Sequence, residues 1–237
     1  MKKTIISLLC LAFGAAAFAG NDNALSKQEE KAGWKLLWDG KTLDGWVACR
    51  DKNKIEDGWF VSDGTLCTRK FEGDNKTVVD IRTDRRYTDF ILTLEVKNTP
   101  GANSGVKYFV QTGKMANIGC EFQILDNDLH PDAHHGVGGN RTFGSLYDLI
   151  PADPAKTHFS VGEWNSVRIV VRGNHVEHWL NGEKVVDYYR NNQAFNALVK
   201  CSKFAEFDGF GNFRDGYIML QNHKDEVCYK NIKIREL

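Results

Sequence analysis

The chain has 237 residues, with 31 Lys and Arg set against 31 Asp and Glu. A balance of that kind offers no field to attract nucleic acid or an anionic membrane. The length, once a leader is set aside, suits one domain and is ordinary for an all-β sandwich.

Lys2 and Lys3, the apolar stretch Ile5 to Phe18 and the triplet Ala17-Phe18-Ala19 form the three regions of a secretory signal, with cleavage expected after Ala19. Loss of Lys2 and Lys3 takes the net charge to −2. Cys10 follows Leu8-Leu9, not the small residues that a lipoprotein signal needs. The apolar run is too short for a comfortable membrane span, so the predicted product is exported and soluble. In an oxidising compartment Cys49, Cys67, Cys120, Cys201 and Cys228 are expected to form structural pairs, leaving one unpaired, with connectivity open. No C-x-x-C spacing points to a zinc ribbon or a thioredoxin-type site.

Residues 20–32 are polar and read as a short linker with one helical turn; residues 33–237 read as the folded domain. Trp59-Phe60-Val61, Asp63-Gly64 and Thr65 to Thr68 predict strand, tight turn, strand, because Asp-Gly supplies positive φ. Alternation predicts strands in Phe90 to Val96, Val106 to Val110 and Val227 to Ile234. Val167 to Arg172, His175 to Leu180 and Lys184 to Tyr188 form a meander turned at Gly173-Asn174 and Asn181-Gly182. No sustained helical periodicity is found. Many short strands with regular turns predict a two-sheet sandwich or jelly roll.

Two long segments, Asp126 to Gly144 and Lys200 to Gly216, resist strand assignment, and long loops in compact domains tend to be functional. Just before the first lies Glu121-Phe122-Gln123-Ile124-Leu125-Asp126. As a strand it turns Phe122 and Ile124 to the core and Glu121 and Gln123 to the other face; Asp126 joins them only through a bulge. That face either lines a concave site or is a solvated strand side. The following loop holds His130, His134 and His135 with Asp128 and Asp132, side chains suited to a divalent cation, to proton transfer, or simply to a polar loop. Gln221 and His223 share a face at a strand end, and Arg141 and Tyr147 offer hydrogen bonds to sugar oxygens or to an oxyanion. In the second loop Phe204 reads as a core anchor and Phe210 as the exposed ring for a sugar face.

Trp38-Asp39-Gly40-Lys41-Thr42-Leu43-Asp44-Gly45-Trp46, Asn103-Ser104-Gly105-Val106, Glu121 to Asn127, Leu220-Gln221-Asn222-His223 and Lys230-Asn231-Ile232-Lys233-Ile234 occur in order and resemble the 3-keto-disaccharide hydrolase domain family. The resemblance implies a concanavalin A-like jelly-roll sandwich acting on glycosides oxidised at C3 by a partner sugar 3-dehydrogenase. In some members the outcome is 1,2-elimination, with a divalent metal cation as cofactor. It places Glu121 or His223 as acid/base and Asp126, His130 and His135 near the metal. Gln123, Gln221, Arg141, Tyr147, Ser104 and Phe210 would hold the sugar. Lys224 stands where a Gly commonly follows the His, and Lys230 where an Arg precedes Asn231. The rivals are a laminarinase-like retaining hydrolase, for which Glu121-x-Gln123-x-x-Asp126 lacks the central acid, and a lectin-like binding module.

Overall fold

A computed structural model describes residues 22–50, 52–71 and 78–237. The signal segment expected at 1–19, with Cys10, lies outside the described residues. The strands are β1 (Trp34–Leu36), β2 (Trp46–Ala48), β3 (Trp59–Ser62), β4 (Thr65–Thr68), β5 (Ile81–Thr83), β6 (Phe90–Asn98), β7 (Asn103–Val110), β8 (Cys120–Leu125), β9 (Asn165–Arg172), β10 (His175–Leu180), β11 (Glu183–Tyr189), β12 (Tyr217–Leu220) and β13 (Val227–Glu236). Two helices accompany them, α1 (Lys27–Lys31) and α2 (Gln193–Lys200).

The strands form two antiparallel sheets. One runs β11-β10-β9-β6-β13-β4-β3, with β1 also on β13; the other runs β2-β5-β12-β7-β8. The all-β two-sheet expectation is met, and each hairpin turns where Asp63-Gly64, Gly173-Asn174 and Asn181-Gly182 allow it. Trp38, Trp59, Phe90, Phe122, Phe143, Leu66 and Ile81 fill the space between the sheets. Each such side chain contributes about 1.5–3 kcal/mol through apolar burial.

Buried polar groups are matched locally. Trp59 Nε1 donates to Val79 O at 2.6 Å and Trp38 Nε1 to Thr42 O at 2.7 Å. Asp39 Oδ1 accepts from the backbone N–H groups of Lys41 and Thr42, which fixes the turn between Trp38 and Trp46. Asn231, at φ 53°, sits at the irregularity in β13 and exchanges reciprocal bonds with Asn23, whose backbone N–H it receives at 2.6 Å.

Three details differ from expectation. The segment read as a linker is held to the body: besides Asn23, Asp22 accepts from Lys230 Nζ at 2.9 Å and Glu29 pairs with Lys233 at 2.9 Å. Its helical turn is α1, closed by a Ser26–Glu29 capping box. Helix α2 went unseen in the sequence because eight residues make barely two turns; Asn192 caps it, and Phe195 stacks on Tyr188. Finally, the cysteines among the described residues give one bond, Cys67–Cys228, between paired residues of β4 and β13, while Cys49, Cys120 and Cys201 are free.

Candidate active site

The five-stranded sheet turns its outer face toward the two long loops. Strands β7 and β8 pair Gly105 with Gln123 and Lys107 with Glu121, so these four share that face. Strand β12 brings Met219 opposite Lys107, and Gln221 N–H bonds to Gly105 O at 3.0 Å. At the outer edge Leu146 bridges Phe122 on the core side, and Tyr147 N–H bonds to Glu121 O, so Tyr147 stands beside Glu121 on the outer side.

Glu121 is the centre of this surface. It is only 3% exposed, and Lys107 Nζ lies 3.5 Å from its Oε2. Burial pushes its carboxyl above the usual carboxylate range, while Lys107 and Lys203 pull the other way. Gly105 makes the room: a Cβ there would stand 2.9 Å from Glu121 Cδ. In the orientation that satisfies its amide, Gln123 donates to Ser104 O at 3.0 Å and to Glu121 Oε1 at 3.3 Å. Acid and amide therefore form one hydrogen-bonded unit, as the period-2 pattern suggested.

The two long loops close one side of this unit. Arg141 Nε donates to Asp148 and Nη1 to Asp132, both at 2.7 Å, and the Tyr147 hydroxyl donates to Asp132 at 2.7 Å. Asp148 Oδ2 also receives the backbone N–H of Lys203, which ties the second loop to the first. Lys203 Nζ lies 4.1 Å from the Tyr147 ring centroid, and burial lowers its pKa. Beneath this edge His178, fully buried, joins Gly144 O at 3.0 Å and the Tyr108 hydroxyl at 2.8 Å. Burial lowers the His178 pKa to about 4, so the ring is neutral at ordinary pH.

On the other side His130, His223 and Asp225 converge, with their ligand atoms within 4.8 Å of one another. His130 and His223 meet edge to face at a centroid separation of 5.8 Å. Asp225 Oδ2 also receives Asn103 N–H at 3.0 Å. Burial lowers the His223 pKa against the pull of Asp225. Two imidazoles and a carboxylate are a donor set that zinc, manganese or cobalt accepts. Lys107 links the two sides, since its charge acts on Glu121, Asp80 and His223 alike.

Several expected site residues lie elsewhere. Strand β8 keeps a regular register through Leu125 with no bulge. The Asp126 carboxylate accepts from the backbone N–H groups of Gly101, Asp128 and Leu129, so it does not join Glu121 and Gln123, and it lies outside the group formed by His130, His223 and Asp225. His135 is exposed and outside the His130 group; Asp225 takes the place expected for it. The Ser104 hydroxyl points to the core side, bonded to Gln221 O and the Tyr229 hydroxyl. Phe210 is buried at 2% and stacked on Phe204 at 4.1 Å, an anchor and not a sugar platform. Arg141 and Tyr147 line the site but direct their hydrogen bonds into its wall. Asp80, Lys107, Lys203 and Asp225 were missed; Lys107 looked like the solvated side of an alternating strand, and Asp225 follows His223 by only two residues.

Over residues 33–235 the chain matches the family described as 3-keto-alpha-glucoside-1,2-lyase-like domain. The chain belongs to this family. It is 30% identical to the 3-keto-disaccharide hydrolase of Bacteroides thetaiotaomicron, over 97% of this chain and 87% of that protein. A Parabacteroides distasonis protein assigned to the glycosyl hydrolases superposes with a TM-score of 0.80 at 29% identity, covering 91% of this chain and 99% of that one. The carbohydrate-binding module CBM66 of Bacillus subtilis shares the fold alone, with a TM-score of 0.50 at 13% identity, covering 81% of this chain and 96% of that one. Trp38 and Trp46, the Glu121–Gln123 strand and the Asn222-His223 segment all fall within the matched residues.

Proposed function

We propose that the protein cleaves 3-keto-glycosides, with Glu121 as the base that takes the C2 proton. The observation that carries this reading is a buried carboxylate set against the Lys107 ammonium on the polar face of the sheet, its pKa held up by burial. A ketone at C3 acidifies the C2–H bond, and a raised carboxyl pKa makes Glu121 a stronger base once ionised. As the proton moves to Glu121, charge develops on the C3 oxygen, and Lys107 and Lys203 place positive charge near it. The enolate then expels the C1 substituent, and the leaving oxygen takes up a proton. Addition of water to the resulting enone completes net hydrolysis; without it the protein is a 1,2-lyase.

His130, His223 and Asp225 would hold a divalent cation, which when bound supplies Lewis-acid polarisation of a substrate oxygen. This gives His223 a place in the donor set and leaves proton transfer to Glu121. The 3-keto group would be supplied by a separate sugar 3-dehydrogenase. Export from the cytoplasm is the accompanying proposal, and the Cys67–Cys228 bond supports an oxidising destination. A retaining mechanism on unoxidised sugar is disfavoured, because Gln123 stands where its central acid would be and Asp126 is consumed by backbone donors.

The test is incubation of the protein with 3-keto-glucosides, with and without chelator, and product identification by mass. Cleavage that needs the keto group and is lost in Glu121→Gln is the expected result. Equal turnover by Glu121→Gln, or cleavage of unoxidised glycosides only, would overturn the reading.

A further inference from the structure

A second cluster of metal-ligating side chains among the described residues lies on the larger sheet, the one that does not carry Glu121. His175, Glu177 and Asp187 each offer one ligand atom, and these atoms lie within 4.8 Å of one another. We propose that they bind one divalent transition ion of the zinc class, at a site separate from Glu121 and from the His130 group. This site stands whether or not the activity proposed above is correct.

Strand geometry is the first ground. On β10 Val176, His178 and Leu180 are buried, so His175, Glu177 and Trp179 share the outward face. Asp187 of β11 is the direct partner of Glu177, and His175 Nε2 lies 2.7 Å from Asp187 Oδ1. Neighbouring side chains hold two of the three ligands. Trp179 Nε1 donates to Glu177 Oε2 at 2.8 Å, and the Tyr189 ring stacks on His175 with centroids 4.6 Å apart. Contacts of that kind orient metal ligands before the ion arrives. Strand β11 ends its sheet, so an ion here would tie the edge strand to its neighbour.

Charge is the second ground. Lys184 Nζ already stands between the two carboxylates, 3.2 Å from Glu177 Oε1 and hydrogen-bonded to Asp187 Oδ2. One ammonium against two carboxylates leaves a negative charge over; a divalent ion in its place balances the pair. The Lys184 side chain is 36% exposed and its stem is flexible, so it can swing into water. One imidazole nitrogen and two carboxylate oxygens, at bonds of about 2.0–2.2 Å, leave a fourth tetrahedral position for water, which is a zinc coordination. Calcium, which takes about six to eight oxygens, finds too few here.

The test is calorimetric titration of tag-free protein with zinc, in a His130→Ala/His223→Ala background that removes the other cluster. That protein is expected to bind one zinc ion per chain, and adding His175→Ala or Asp187→Asn should abolish the binding while circular dichroism shows both variants folded. Lys184→Met, which removes the competing ammonium and keeps the stem, should tighten binding about tenfold. Zinc at about a hundredfold excess over Kd should raise the thermal midpoint by about 5–10 °C, a rise that His175→Ala removes. No zinc bound in the His130→Ala/His223→Ala background, binding that survives His175→Ala, or weaker binding in Lys184→Met would overturn the assignment.

Discussion

Gly105 and Glu121 compete for one volume: the Cβ that any other residue would bring to position 105 would stand 2.9 Å from Glu121 Cδ and 3.0 Å from its Cγ. The Glu121 carboxyl is seated because its neighbour on the adjoining strand has no side chain.

Gly105→Ala should therefore displace the Glu121 carboxylate from Lys107. Overpacking of this kind costs about 1–3 kcal/mol of stability. Misplacement of a catalytic group by about 1 Å costs about 100-fold in rate. Turnover of a 3-keto-glucoside and the thermal midpoint, measured together, check both effects; full activity would mean that Glu121 is not held in working position by this contact.

The acid limb of the pH–rate profile should report Glu121. A base must be ionised, so kcat/KM rises with pH through the carboxyl pKa, which burial has raised. Lys107 pulls that pKa down, so Lys107→Met should move the acid limb to higher pH. A limb that stays in place in that variant would assign the titration to another group.

His178 sets a second pH dependence, this one of stability. Its pKa is about 4 in the folded protein against 6.5 for the free side chain, so the unfolded chain binds the extra proton between those values. The stabilisation is complete above about pH 6.5 and falls as pH drops toward 4, by about 3 kcal/mol in all. Urea unfolding across this range should show a steeper decline for wild type than for His178→Gln.

Lys224 holds φ at 76°, a left-handed conformation that a side chain with a Cβ adopts at a cost. A glycine, which the family resemblance implies for this position, adopts it freely. Lys224→Gly should raise stability by about 1 kcal/mol, read as an increased thermal midpoint, and leave the Asn222 Oδ1 bond to the backbone N–H of residue 224 intact. A lower midpoint would mean that the lysine side chain compensates its backbone.

Much of the architecture was legible because it rests on local chemistry. Asp63-Gly64 and Asn181-Gly182 announce their hairpins through φ, and Phe90 to Val96 announces a half-buried strand by alternation. Glu121 and Gln123 were found by the same period. Other features depend on what covers a face, which no strand pattern contains. Phe210 and an exposed aromatic read identically until Phe204 is seen stacked against it. Asp126 looked available until three backbone N–H groups claimed it. Lys203 and Asp80 reach the site from segments remote in sequence, and helix α2 is too short to display its own period.

The placement of β13 bears on how the molecule comes into being. This strand, the last in chain order among the described residues, lies in the interior of its sheet between β6 and β4, and Cys228 bonds back across 161 positions to Cys67. A chain emerging N-terminus first would have no finished larger sheet until those residues arrive. Closure of that sheet would then be a late, slow event dominated by distant contacts. Removal of the β13 residues would leave two half-sheets with bare edges, a form prone to aggregate rather than a shorter version of the same fold.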